Sequence, residues 1–362
     1  MRFKAMIASI LLLISLGRLW STEVSASGAP ALSAASAVLY ERSSQTFILS
    51  KDADTRRPMA STTKIMTALV AVRSGVSLNE TVTVPREAVG VEGSSLYLRE
   101  GEQMTLRELL YALLLQSAND AAVAISVHVS GSLDAFVCKM NDTARELGLT
   151  NTHFVNPHGL HDEEHYTTAR ELALISAAAL DDPTVREISS TVRHTIPATN
   201  LSPARTVVNH NKLLKLTEGA IGLKTGFTKA SGRCLVGAFE KDGISLVSVT
   251  LSAPNDWEDH KKLLAYGLDS MEARAVAPKG TLHFEIPIIG AEFDSISTTN
   301  ADDVILILPR HTPTPKPEIH LSHFAVAPIR DGAVLGTLSY RLDGKVLFET
   351  SLVAEGSVDQ IK

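Results

Sequence analysis

Three short polar groups, Ser61-Thr62-Thr63-Lys64, Ser117-Ala118-Asn119 and Lys224-Thr225-Gly226, occur in that order and together contain the parts of an activated serine. A serine hydroxyl is a poor nucleophile until a base takes its proton, and a lysine is such a base only when neutral. Lowering a lysine from about 10.4 to about 7 costs roughly 4–5 kcal/mol, which burial and a neighbouring cation supply. On this reading Ser61 attacks, Lys64 is the general base, and Lys224 is the neighbouring cation. Ser117 passes protons toward the leaving group, and Asn119 holds substrate amides. Lys224 and Thr225 bind a terminal carboxylate, and Gly226 leaves room for an extended substrate beside a strand edge. The backbone N–H groups of Ser61 and Phe227 form an oxyanion hole, a device that contributes several kcal/mol to catalysis. Each group taken alone also reads as a helix cap, a linker or a turn, so the weight lies in their order and context.

The elements around them supply that context. Ala37 to Tyr40 and Thr46 to Leu49 are short β-prone runs flanking a polar turn. From Ser61 the apolar residues Ile65, Ala68, Leu69 and Val72 recur at helical spacing, and i, i+3 geometry brings Lys64 to the Ser61 hydroxyl. Thr105 and Glu108 form a capping-box pattern for a second helix that stops near Gln116, so Ser117 and Asn119 fall on the break before a third. A fourth helix is expected from Ser132 to Gly148. Lys224-Thr225-Gly226 lies in a β-prone stretch ahead of Cys234–Phe239 and Ser245–Leu251, which flank the hairpin signal Asp242-Gly243. Beyond Ala277-Pro278 the pattern becomes all β, with the Pro-rich residues 309–317 as an exposed connection.

The chain of 362 residues is 44% hydrophobic, enough for two cores. Its net charge of −6 gives no electrostatic reason to bind nucleic acid. Cys138 and Cys234 lie far apart without metal or redox spacing, which allows one optional disulfide. The basic start Met1-Arg2-Phe3-Lys4, the apolar run from Ala5 to Leu16 and the small residues at Val24-Ser25-Ala26 read as an export signal, so the working protein is expected outside the cytoplasm. The expected organisation is a signal peptide over 1–26, a catalytic α/β (α+β) domain over 27–275 and a small all-β sandwich over 276–362.

These features resemble the serine D-alanyl-D-alanine carboxypeptidases among the low-molecular-mass penicillin-binding proteins. Besides the three groups, the resemblance rests on Ala60 to Thr67, Phe154-Val155-Asn156-Pro157-His158-Gly159-Leu160, Tyr166 to Ala169, Asn209 to Leu214 and Gly222-Leu223 before Lys224. It covers about Ser36 to Tyr266 closely and the tail less specifically. It implies the penicillin-binding/β-lactamase-like transpeptidase fold, peptidoglycan stem pentapeptides as substrate, β-lactams as covalent inhibitors, a role in wall biogenesis and cell shape, and no cofactor or metal. There are three departures. Phe227 stands where some members carry histidine. Asp256-Trp257-Glu258-Asp259-His260 replaces an arginine-bearing stretch, leaving the carboxylate contact to Lys224 and Thr225. The polar end Ser357 to Lys362 is not an amphipathic anchor, so membrane attachment stays open.

Three other readings compete. A class A β-lactamase would need a Glu-x-x-Leu-Asn segment, which neither Glu163 to Tyr166 nor Glu171 to Leu174 provides. A metal hydrolase could use His158, His161 and His165, but Pro157 and Gly159 argue against a helix there, and surface-loop histidines are the simpler expectation. A wall-binding protein without turnover would not need all the proposed catalytic side chains, which are present.

Overall fold

The computed structural model describes residues 28–361. The expected export signal over 1–26 lies outside the described residues. Two strands, β1 (Ser36–Glu41) and β2 (Thr46–Lys51), open the fold as the expected hairpin, and a 3₁₀ turn (Ala60–Thr63) runs into α1 (Lys64–Arg73). A small ribbon of β3 (Thr81–Thr83) and β4 (Gln103–Thr105) leads to α2 (Leu106–Tyr111), a π-helical turn (Ala112–Gln116), α3 (Asn119–Ser130) and α4 (Leu133–Glu146). After α5 (Ala169–Leu180) and α6 (Pro183–Ser190), a second ribbon of β5 (Arg193–Ile196) and β6 (Arg205–Val208) and the single turn α7 (Leu213–Leu216) precede the remaining central strands. These are β7 (Ala220–Thr228), β8 (Gly232–Lys241) and β9 (Ile244–Leu251), followed by α8 (Asp256–Ser270).

The central sheet has the order β2-β1-β9-β8-β7, with every neighbouring pair antiparallel. First and last segments of this part of the chain therefore close together, and β7 is left as an edge. One face of the sheet packs on α1, α5 and α6, and α2 to α4 join them in the largest apolar cluster, which includes Ile65, Leu69, Leu109, Leu113, Phe136 and Leu172. The other face packs on α8 through Leu39, Leu235, Leu246 and Leu263. Gly267 makes that contact possible, since a Cβ there would lie 2.7 Å from a methyl of Leu246.

The helix caps follow the sequence with one difference. Ser132 accepts from the Ala135 N–H at 3.2 Å and starts α4, as expected. Thr105 accepts from the Glu108 N–H at 3.3 Å, but the Glu108 carboxylate does not return to the cap. It lies 2.7 Å from His194 Nε2 on β5, a tertiary partner that outcompetes the local one.

The tail is the expected all-β unit. A ribbon of β10 (Met271–Ala277) and β13 (Val304–Pro309) stands beside a six-stranded sheet, order β14-β16-β17-β12-β11-β15. That sheet comprises β11 (His283–Ile289), β12 (Ser295–Asn300), β14 (Pro317–Leu321), β15 (Ala325–Val326), β16 (Val334–Leu342) and β17 (Lys345–Ala354). Val304, Leu306 and Leu308 of the ribbon bury against Leu338, Tyr340 and Leu352 of the sheet, so the two layers share a core. The Pro-rich residues connect β13 to β14. The expected division after residue 275 falls inside β10, which starts directly where α8 ends. The two cysteines are free thiols, Cys138 exposed and Cys234 buried, so the optional disulfide is not formed.

The turn at Ser61 is held from two sides by glycines. A Cβ on Gly159, at φ +90°, would lie 2.0 Å from the Ala60 carbonyl oxygen. Gly226 on the β7 edge would bring one within 3.1 Å of both Met59 O and Ser61 N. Gly159→Ala combines left-handed strain with a backbone clash, and it should lower stability by about 2 kcal/mol or more. Denaturant unfolding checks this, and an unchanged midpoint would contradict the packing described here.

Candidate active site

The 3₁₀ turn presents Ser61 at the mouth of a cleft of about 350 Å³ lined by Ser94, Ser117, His210, Thr225, Gly226, Phe227, Arg233, Asp256 and Trp257. Directly beneath it Lys64 is fully buried. Its Nζ lies 3.0 Å from Ser61 Oγ, 2.7 Å from Asn119 Oδ1 and 2.6 Å from the His158 carbonyl oxygen. A neutral amine has two N–H donors and one lone pair. The Asn119 and His158 oxygens take the two donors, which leaves the lone pair for the Ser61 hydroxyl. Burial first, and then the charge of Lys224, hold Lys64 well below the ordinary lysine range, while Asp120 opposes them. The site thus favours the base form that proton abstraction requires.

Lys224 is equally buried and is pushed down to about 7 by desolvation. Its Nζ donates to the Thr225 carbonyl at 2.9 Å. Its side chain is buried on the face of β7 that meets the 3₁₀ turn, close enough to Lys64 to act on its charge, and it is not among the residues lining the cleft. Strand alternation turns Lys224 and Gly226 toward the Ser61 turn and Thr225 and Phe227 to the opposite face, where they line the cleft. Phe227 is 65% exposed.

Asn119 is engaged at both ends of its side chain. Its Oδ1 accepts from Lys64, and its Nδ2 donates to the Glu92 carbonyl at 2.5 Å. With both ends engaged, it orients Lys64 and anchors the 92–94 loop; a substrate amide would have to displace one of these contacts. Ser117, 5% exposed, sits in a left-handed conformation at φ 62° where the π-helical turn meets α3, and that break turns it into the cleft.

Several supporting residues escape sequence reasoning. Asp120 is buried and its carboxylate accepts from Ser95 Oγ, Leu96 N and Leu98 N, which fixes the loop bordering the cleft. The sequence signal was only an acid at a helix start, which reads as a cap. His165 was expected on a surface loop and is instead 2% exposed. Its Nδ1 accepts from the Val155 N–H at 3.0 Å, so Nε2 carries the hydrogen and donates to Thr63 Oγ1 at 2.7 Å. Thr63 in turn donates to the Ala60 carbonyl. Burial lowers His165 to about 4, keeping it in this neutral form. His158 contributes its backbone oxygen to Lys64, and burial, then Lys64, lower its imidazole to about 3. His161 points to solvent. Among the described residues, no group of three His, Cys, Asp or Glu side chains is arranged to hold a metal ion.

A serine backed by a buried lysine at i+3, beside a second serine and a sheet edge, defines a penicillin-recognising serine acyl-transfer fold. Comparison gives the family: the D-alanyl-D-alanine carboxypeptidase family matches residues 23–255, and the penicillin-binding protein 5 C-terminal domain matches 272–360. The chain belongs to the D-alanyl-D-alanine carboxypeptidase family and is a serine-type peptidase. It is 30% identical over 331 residues to D-alanyl-D-alanine carboxypeptidase DacF of Bacillus subtilis, covering 89% of this chain and 85% of that one. It is 32% identical over 344 residues to DacA of Escherichia coli, covering 90% and 84% respectively. Penicillin binding protein 5 from Haemophilus influenzae superposes with a TM-score of 0.67 at 29% identity, over 91% of this chain and 99% of that structure.

The Lys64–Lys224 pair makes a signed prediction. Acylation of the serine should rise with pH as Lys64 loses its proton. Removing the second cation in Lys224→Met raises the Lys64 pKa, so the ascending limb of the acylation profile should move to higher pH. Stopped-flow acylation by a chromogenic penicillin between pH 5 and 10 checks this, and a limb that stays put or moves down would contradict the coupling.

Proposed function

We propose that the chain is a serine D-Ala-D-Ala carboxypeptidase that removes the terminal D-alanine from peptidoglycan stem pentapeptides. The observation that carries this reading is the buried Lys64 amine with two carbonyl partners and its third position aimed at Ser61 Oγ. Ser61 Oγ attacks the carbonyl of the penultimate D-alanine as its proton passes to Lys64 Nζ. The tetrahedral oxygen is received by the N–H groups of Ser61 and Phe227, where the β7 edge meets the 3₁₀ turn. As the C–N bond breaks, the proton held on Lys64 passes through Ser117 to the departing D-alanine nitrogen, which leaves Lys64 neutral again. Water then attacks the ester on Ser61, with Lys64 again taking the proton and returning it to Ser61 Oγ as the acyl–oxygen bond breaks and the tetrapeptide leaves.

Asn119 positions Lys64, Lys224 lowers its pKa, Thr225 faces the substrate's terminal carboxylate, and Gly226 permits the approach of an extended peptide. A β-lactam would be opened by the same attack and remain as an ester. No metal or cofactor enters any step. We further propose that the basic-apolar N-terminal sequence directs export, so that the enzyme meets its substrate in the wall, and that the chain divides into a catalytic unit and a β-rich tail near residues 270–277.

The test is intact-mass analysis with penicillin alongside D-alanine release from a pentapeptide. Wild type should gain the mass of one penicillin, and Ser61→Ala should gain none and lose at least about a thousandfold in D-alanine release. A wild type that is not acylated, or a Ser61→Ala variant that keeps releasing D-alanine, would refute the assignment. Rapid turnover of ampicillin in place of a persistent adduct would favour a β-lactamase.

A further inference from the structure

We propose that Arg233, a residue of β8, is the cation that recognises the terminal carboxylate of the substrate, held for that purpose by Asp256 and Trp257. This rests on the carboxypeptidase reading above and names the specificity residue of the same cleft. A substrate ending in a carboxylate needs an accessible positive partner on the cleft wall, and Lys64 and Lys224 are both buried and outside its lining. Arg233 lines the cleft together with Ser61, Ser117 and Thr225.

The sheet register explains how it gets there. Across the antiparallel β7–β8 pair, Thr225 is opposite Leu235 and Phe227 is opposite Arg233. Thr225, Phe227 and Arg233 therefore share one face, and Thr225 and Arg233 are diagonal neighbours, a separation that a long side chain spans. Over that face comes the N-terminus of α8. Asp256, whose side chain is 3% exposed, lies 3.0 Å from an Arg233 guanidinium nitrogen, while the Arg233 side chain itself is 43% exposed. The guanidinium carbon stands 5.8 Å from the centre of the Trp257 ring. One edge of the guanidinium is thus engaged and its plane is supported, while the exposed part retains N–H donors in the fork geometry that suits a carboxylate. Asp256 offsets part of the guanidinium charge but engages only one of its nitrogens, and by fixing the side chain it reduces the rotamer freedom that binding would otherwise have to freeze.

The experiment uses two acyl-D-alanyl thiolesters that give the same acyl-enzyme, one with a leaving group ending in carboxylate and one with the matching carboxamide. The quantity read is the ratio of their kcat/KM values, beside D-alanine release from a pentapeptide by wild type. In Arg233→Ala the preference for the acid should fall roughly 10- to 100-fold, as expected for loss of a charge-assisted contact, with the amide turned over as in wild type. Arg233→Lys should keep part of the preference, and Asp256→Asn should weaken it less than Arg233→Ala. An unchanged ratio in Arg233→Ala would overturn the proposal, and so would equal loss on both thiolesters, which would mark Arg233 as merely structural. If wild type releases no D-alanine, the carboxypeptidase reading itself fails and this assignment falls with it. Wild-type release together with an unchanged ratio in the variant would sink Arg233 alone.

Discussion

The site depends on keeping an amine neutral where water cannot reach it. Burying an ammonium without compensation is so unfavourable that the group loses its proton instead. Lys64 is placed under that pressure by the apolar body of α1 and its neighbours, and Lys224 adds to it from the adjoining strand. The two carbonyl oxygens that accept its hydrogens turn a generic desolvated lysine into a directed base, because they determine where the lone pair points. Every nearby element serves this geometry. The 3₁₀ turn carries Ser61 one turn before Lys64, the break between α2 and α3 brings in Asn119, and the 153–168 loop supplies the His158 carbonyl.

The same constraint accounts for the backbone around the serine. The turn must lie against the β7 edge for its N–H groups to face a substrate there, and Gly226 and Gly159 are the residues that let two other backbones approach it. The Thr63–His165 hydrogen bond locks the turn from behind, and a neutral imidazole is what this buried position tolerates. Asp120 performs the equivalent task on the opposite wall through loop N–H groups. Catalytic geometry held by packed and fully hydrogen-bonded neighbours requires little reorganisation as charge develops.

The sequence made the chemistry legible because Ser61 and Lys64 are local: their i, i+3 relation follows from one helical turn. The position of Ser117 and Asn119 on a helix break, and of Lys224 on a strand before the Asp242-Gly243 hairpin, could likewise be read from periodicity and turn chemistry. Long-range relations were less accessible. Packing buries Lys224 beside Lys64, out of the cleft lining, and antiparallel register brings Arg233 into it, although the two are nine positions apart and only one belongs to a recognisable motif. His165 read as a loop residue because its partners are Thr63 of the 3₁₀ turn and the segment Phe154–Val155, which no local window contains. The capping box at Thr105 was half formed because a tertiary histidine claimed Glu108. Resemblance supplied the substrate class and the family, while local physics supplied the activated serine.

The central claim is that Lys64 is a neutral amine at the pH where the enzyme works. Its most direct test is NMR titration of the side-chain Nζ, or of the adjacent methylene, in lysine-labelled protein, with Lys64→Met used to assign the signal. The account predicts a Lys64 resonance that titrates well below the other lysines and is in the amine form at neutral pH. A Lys64 signal that titrates with the exposed lysines, near their ordinary value of about 10.4, would contradict it.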